Sequence, residues 1–324
     1  MSDSDLQPEE FAQAAAEAIA DAQARTFRDA AQVLANAGLC GVCAAEDAGG
    51  LALGIAFALP IVAQAGRLRL QWPLLETILI AKALGDSPLA AELASGSRVA
   101  TWALQGSLQD KFAGHARYAQ HCDWVLVADG EGAAALVELG SVEIEHDAAL
   151  DPENPQSWIA LDNAKLLARL DAVTFAELQR DSHILIAGLA NGAAEGALAA
   201  SAEYMATRVQ FGRPLSAKQA VRHLLARMRL LQEASSAGIE RLLDTDEYAS
   251  VRRTQPVLAN SLANAAFVLE KAIHLHGGMG FTWELPLHYA LRQVRQFDAA
   301  FGSGALAQQA GRDFIQSVTA KETE

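Results

Sequence analysis

Between Glu203 and Glu233 the sequence carries no carboxylate, yet Arg208, Arg213, Lys218, Arg222, Arg227 and Arg229 all fall there. The chain as a whole has a formal charge of −14. A phosphate brought against protein needs compensating charge, so an acid-free basic window in an acidic chain is where an anion would be held. Within it, Gln210-Phe211-Gly212 reads as a turn. Ser216, with Gln219 three residues on, has the capping-box pattern of a helix start. A helix N-terminus flanked by arginines suits a pyrophosphate. The plainer reading is a solvated basic face, because Lys218, Arg222 and Arg229 share one side of a helix. Gln219 also has a plain reading, as a helix cap.

A second segment, His274-Leu-His276-Gly277-Gly278-Met-Gly280-Phe-Thr282, closes another helical stretch. Glycines there read as a C-cap and turn. A His-Gly-Gly motif also builds oxyanion holes, but that chemistry requires a Gly-x-Ser-x-Gly elbow, which the sequence lacks. It contains neither a Walker A nor a Gly-x-Gly-x-x-Gly motif.

The elements that must carry these residues fall into three regions: an α-helical domain (1–98), a small middle β domain (99–174) and a C-terminal helical bundle (175–324). In the first, Phe11, Ala14, Ala15, Ala18 and Ile19 recur at helical spacing. Further helices are expected at about 26–36, ending at Gly38, and at about 53–66 and 74–84, with Pro73 suited to a first turn. In the second, Trp124–Ala128 and Ala135–Leu139 read as strands, and few others are expected. Asp151-Pro-Glu-Asn-Pro155 reads as a loop. In the third, Ile184 to Thr207 reads as one long helix. Leu224, Leu225, Met228, Leu231 and Gln232 give the next a buried stripe. Pro256 opens a third helix that Gly277 ends, and helices at about 286–297 and 305–319 complete an antiparallel bundle.

Bulk composition narrows the class. With 324 residues, 51% of them hydrophobic, the chain is expected to be a soluble multi-domain protein. No run approaches the ~18–20 uncharged apolar residues of a membrane span, and the acidic N-terminus is unlike a signal or transit peptide. The negative balance argues against nucleic acid. Cys40, Cys43 and Cys122 are too few for a disulfide framework. They read as buried thiols rather than a redox or zinc site. A cytoplasmic enzyme or enzyme subunit is the expected class.

Arg208-x-Gln210-Phe211-Gly212-x-Pro-Leu-x-x-x-Gln219, followed by His276-Gly277-Gly278-x-Gly-Phe-Thr282-x-Glu-x-Pro286, resembles the acyl-CoA dehydrogenase family. Gly38-Leu-Cys-Gly-Val-Cys-Ala-Ala-Glu46-Asp-Ala-Gly-Gly50, Gly66-Arg and Pro73-Leu-Leu-Glu-Thr77 resemble its N-terminal segments, so the likeness spans nearly the whole chain. It implies a mainly α fold with a small middle β domain, an α/β/α three-domain architecture ending in a four-helix bundle. It implies FAD as cofactor, an acyl-CoA thioester as substrate and a tetrameric assembly. Arg208, Gln210, Phe211, Lys218 and Gln219 would contact the adenosine and pyrophosphate half of FAD. His274, Gly277 and Gly278 would contribute from a neighbouring chain, with His274 where the family usually has glutamine. Ser303 and Gly304 match a flavin-contacting stretch.

The likeness fails where the reaction needs a base. Removing the α proton of a thioester while flavin takes hydride from the β carbon calls for a desolvated carboxylate. The usual glutamate position is Phe301 here, and the alternative family position is Ser182, beside Asp181. Asp181 is a candidate base if the helix start is shifted; otherwise it reads as an N-cap. The β region also lacks the family's ring-enclosing segments, Gln105-Gly106-Ser107 being at best a remnant. The resemblance therefore implies a subunit lacking the base, working with a second acyl-CoA dehydrogenase-type chain on a bulky, steroid-like acyl-CoA. A self-sufficient homo-oligomer using Asp181, or a scaffold that has lost FAD, are the alternatives.

Overall fold

A computed structural model describes residues 6–147, 151–249 and 252–321. The chain divides into two compact units, Met1–Leu185 and Ile186–Glu324.

The first unit opens with helices α1 (Glu10–Gln23), α2 (Phe27–Asn36), α3 (Ile55–Leu68), α4 (Leu74–Ala83) and α5 (Pro88–Ala94). Ala15, Ile19 and Ala22 form the buried stripe of α1. Thr26 caps α2, its hydroxyl accepting from the Asp29 amide, and Gly38 follows at φ +75°. Helix α4 is buried on all sides, Leu74, Ile78, Leu79 and Ile80 being almost fully enclosed. Helix α5 was not foreseen; Ser87 caps it and Pro88 takes its first turn.

The strands are more numerous than the few expected. β1 (Ala100–Ser107), β2 (Phe112–Arg117), β3 (Trp124–Ala128), β4 (Ala134–Glu138), β5 (Glu143–Asp147), β6 (Gln156–Ala160) and β7 (Leu166–Leu170) form one sheet, ordered β5-β6-β2-β1-β3-β4-β7. All neighbours are antiparallel except β1 and β3. Gly106 is obligatory near the end of β1, opposite Ala113 of β2: at φ +77°, a Cβ would lie 2.1 Å from the Phe112 carbonyl oxygen. In β2 a bulge between Ala113 and Ala116 puts His115 at φ +53°.

Helix α6 (Ala172–Thr207) starts well before the expected Ile184. Asp171 supplies the cap, its carboxylate accepting from the Thr174 amide at 2.8 Å. An 18-residue window of α6 is long and apolar enough to cross a membrane, contrary to expectation, but 72% of that window is buried, as in a core helix.

The second unit holds the rest of α6, the short strands β8 (Val209–Gln210) and β9 (Arg213–Pro214), and helices α7 (Gln219–Leu243), α8 (Thr254–Leu275), α9 (Leu287–Ala300) and α10 (Ala305–Lys321). Helix α8 is central, packing against α7, α9 and α10. As expected, Met228 and Gln232 face inward from α7.

Candidate functional site

In the second unit the backbone itself builds a turn at the end of α6. β8 pairs with β9, Gln210 opposite Arg213, and the two residues between them have positive φ: Phe211 at +54° and Gly212 at +76°. Two successive left-handed residues make the tight hairpin that matches strand twist. The Leu215 amide closes it by donating to the Arg208 carbonyl at 2.9 Å. The turn thrusts Phe211 outward, 89% exposed, with the Lys218 ammonium 4.9 Å from its ring centre.

The expected capping box is not formed. Leu215–Ala217 is a separate 3-10 turn, α7 starts at Gln219, and Lys218 occupies the cap position with no side-chain bond. The turn that follows Pro214 keeps Ser216 outside the helix, and its carbonyl accepts from Arg222 Nε at 2.8 Å. Nor is the basic face uniform. Arg229 pairs with Glu233, and the Arg227 guanidinium lies 4.6 Å from the Phe267 ring centre. Arg208 and Arg213, both exposed, and Lys218, half-buried, remain with no carboxylate partner among the described residues.

The second segment follows α8. His276 is buried and takes the cap position; its amide and its Nδ1 both point to the Ala272 carbonyl, at 3.2 and 2.8 Å. A carbonyl only accepts, so Nδ1 carries the hydrogen. Gly277 turns the chain at φ +60°, and a Cβ on Gly277 or Gly278 would meet nothing within 4 Å. Gly280 is the opposite case: a Cβ there would sit 2.2 Å from the Ile273 carbonyl oxygen. His274 lies exposed on the last helical turn.

The two segments meet. The Tyr204 ring stacks on His276 with centroids 4.6 Å apart and planes 16° from parallel, and the Tyr204 hydroxyl lies 3.9 Å from Met279 Sδ. Sequence reasoning missed this contact, although both residues stood in the motifs it singled out. An aromatic at each helix end was the available signal. Ser303 belongs to another loop, between α9 and α10, where Gly302, Ser303 and Gly304 all have positive φ. Asp298 holds that loop: its carbonyl accepts from the Ser303 amide at 2.8 Å and its carboxylate from Gly304 at 3.0 Å. Phe301 is half-buried and follows α9.

Asp181 and Ser182 lie in the first unit, well inside α6 rather than at its start, so Asp181 is not an N-cap. The Asp181 carboxylate accepts from the Lys82 ammonium, and the Ser182 hydroxyl donates to the Gln179 carbonyl of its own helix at 2.7 Å. A second carboxylate is fully committed. Glu76 of α4 receives Arg117 of β2 through Nε at 2.7 Å and Nη2 at 3.0 Å, with both side chains only 5% exposed. Burial alone would favour the neutral guanidine; the Glu76 charge outweighs it and holds Arg117 above its ordinary range. The cysteines are buried and free, and burial pushes the Cys40 and Cys43 thiols up to about 12. No His, Cys, Asp and Glu grouping able to hold a metal occurs among the described residues.

Residues 180–310 match the family model described as "Acyl-CoA dehydrogenase, C-terminal domain". A curated relative, acyl-CoA dehydrogenase IpdE2 of Mycobacterium tuberculosis, is 27% identical over 260 residues, covering 77% of this chain and 74% of its own. The chain thus resembles acyl-CoA dehydrogenases, with the family's C-terminal domain at residues 180–310. Its fold is that of solved acyl-CoA dehydrogenases. The Tcur3481-Tcur3483 steroid ACAD matches with a TM-score of 0.82 at 23% identity, covering 97% of this chain and 98% of that one. The ChsE4-ChsE5 complex of Mycobacterium tuberculosis has the same TM-score at 22% identity, with 97% and 99% covered. The matched span contains both the Phe211 turn and the Gly277-Gly278 turn, together with Ser182 and Phe301.

Proposed function

We propose that this chain is the base-lacking subunit of a heteromeric, FAD-dependent acyl-CoA dehydrogenase. The observation that carries the reading is the contrast between two sets of charged groups. Arg208 and Arg213 are exposed and Lys218 half-buried, none with a carboxylate partner among the described residues, beside turns whose glycines leave room for a ligand. Every carboxylate expected near the chemistry is missing or committed: Phe301 is apolar, Ser182 bonds to its own helix and Asp181 to Lys82.

The residues present fit the phosphate half of FAD. Arg208, with Gln210, Phe211, Lys218 and Gln219, would hold it, and His274, Gly277, Gly278 and Ser303 would add contacts. Bound flavin supplies a hydride acceptor. This chain's residues contribute positive charge and an open backbone surface, and abstraction of the α proton falls to a partner. The self-sufficient alternative is disfavoured because the Asp181 oxygen that would take the proton already receives one from Lys82.

A partner subunit is supported by exposed apolar side chains on the same two segments. Val209 is 56% exposed, Met279 48%, Phe281 78% and Trp283 67%. Such a concentration marks an interaction surface. The paired names of the steroid ACAD and of the ChsE4-ChsE5 complex support a second component, and the first supports a steroid-like acyl-CoA substrate; a tetrameric assembly and a cytoplasmic location are part of the same proposal. The division into domains at 98/99 and 174/175 is part of the same proposal.

The test is expression alone and with a family member that retains the glutamate. Alone, the chain is expected to show little absorbance near 450 nm and no turnover; together, the complex should show both. Yellow, active protein from this chain alone would refute the reading.

A further inference from the structure

We infer that Tyr204 and His276 are positioning residues, whose stack sets the Phe211-Gly212 turn and the Gly277-Gly278 turn in register for one bound dinucleotide. The inference rests on the flavin reading above with one change: the Tyr204–His276 stack joins the two segments within this chain, so both turns would serve the same dinucleotide rather than the glycines reaching it from a neighbouring chain.

A tyrosine and an imidazole facing each other 4.6 Å apart present their faces to one another, not to a phosphate. His276 is 5% exposed although Gly277 and Gly278 after it are exposed, so the chain turns inward for this one side chain. Its ring is fixed at two points, the Nδ1–H bond to Ala272 and the Tyr204 face. That leaves it no rotamer freedom to adapt.

Both rings are tied to the backbone that would meet ligand. The Arg208 amide donates to the Tyr204 carbonyl at 2.9 Å, so a shift of Tyr204 displaces the start of the hairpin. On the other side, Gly277 follows His276 directly, and Gly280, packed on the Ile273 carbonyl, fixes the far end of that turn. The stack is thus a side-chain contact that crosses from one segment to the other, reinforced by Tyr204 Oη against Met279 Sδ. Ordinary core packing is a poorer account, because Tyr204 is only half-buried and Met279 is exposed. The two turns have to agree in position because a phosphate bound by charges placed an ångström apart from their best geometry is bound weakly.

The test uses the full chain co-expressed with a glutamate-bearing family member, with FAD as the probe. The FAD dissociation constant is measured after reversible flavin removal, and the melting temperature of each apo complex is recorded. His276→Ala and Tyr204→Ala are expected to weaken FAD binding by about five- to tenfold, the size of a lost aromatic pair. His276→Phe and Tyr204→Phe keep both rings and should stay within about twofold of the parent. Melting of the apo complex should move little in the Tyr204 variants, which keeps the conclusion testable if His276→Ala fails to fold. Unchanged affinity in Tyr204→Ala, alongside flavin loss in Arg208→Glu, would overturn the positioning role and leave the flavin site standing. Retention of FAD by Arg208→Glu itself would instead remove the underlying reading. Equal loss of melting temperature and affinity in Ala and Phe variants alike would reduce the pair to plain structure and also overturn the inference.

Discussion

Individual side chains here are governed by what surrounds them more than by their type. Cys40-Gly-Val-Cys43 has the spacing of a redox pair, yet burial pushes both thiols up to about 12. At pH 8 only about one thiol in ten thousand would be thiolate. Iodoacetamide is therefore expected to leave both unlabelled in the native chain and to label them after urea; rapid native labelling, followed by mass spectrometry, would contradict this. His115 gives a pH dependence of known sign. Burial lowers it from the ordinary 6.5, and the Gln156 bond recovers only part. The unfolded chain thus takes up the proton first, so stability should fall as pH drops through about 6.5. Asn tolerates the left-handed φ of this position, so His115→Asn should unfold in urea with a shallower loss between pH 8 and pH 5. Arg208→Glu belongs to the same scale: it should empty the co-expressed complex of flavin, read at 450 nm, with little change in melting.

Among the elements, α4 and β2 are joined by the buried Glu76–Arg117 pair. Glu76→Gln leaves the guanidinium buried without its counter-charge, at a cost of about 3–5 kcal/mol in urea unfolding. The joint change of Glu76→Leu with Arg117→Met should recover most of that loss, because desolvation of both charges disappears together. If the single change proved neutral, the pair would not be holding these elements. Helices α1, α2, α7, α8 and α9 were legible because each shows an apolar stripe at helical spacing with a cap or glycine nearby. Strands β3 and β4 were legible because both are short apolar runs. β5 and β7 were not, for they are the two sheet edges: β5 is Glu-Ile-Glu-His-Asp and β7 carries Arg169, with little buried face to impose alternation. β2 was hidden by Gly114 and its bulge. A Cβ at Gly114 would fall 2.0 Å from the Trp158 ring, a constraint visible only once the strands are paired.

For the whole molecule, assembly becomes a mutational prediction. Phe281 and Trp283 are 78% and 67% exposed in the single chain. Phe281→Glu with Trp283→Glu should abolish co-purification with the partner subunit while circular dichroism of the isolated chain is unchanged. Co-purification at parental yield would move the interface elsewhere.

The sequence by itself determined which charges lie where along the chain. The basic window, the paired glycine motif and the phenylalanine at 301 are matters of composition and spacing, which no packing can alter. Only the tertiary structure decided what those groups face. It placed Asp181 inside a helix against Lys82, took Ser216 out of the helix it was expected to cap, and stacked Tyr204 on His276. Such pairings join residues distant in sequence, and they follow from the close packing of helices and strands, which local periodicity does not encode.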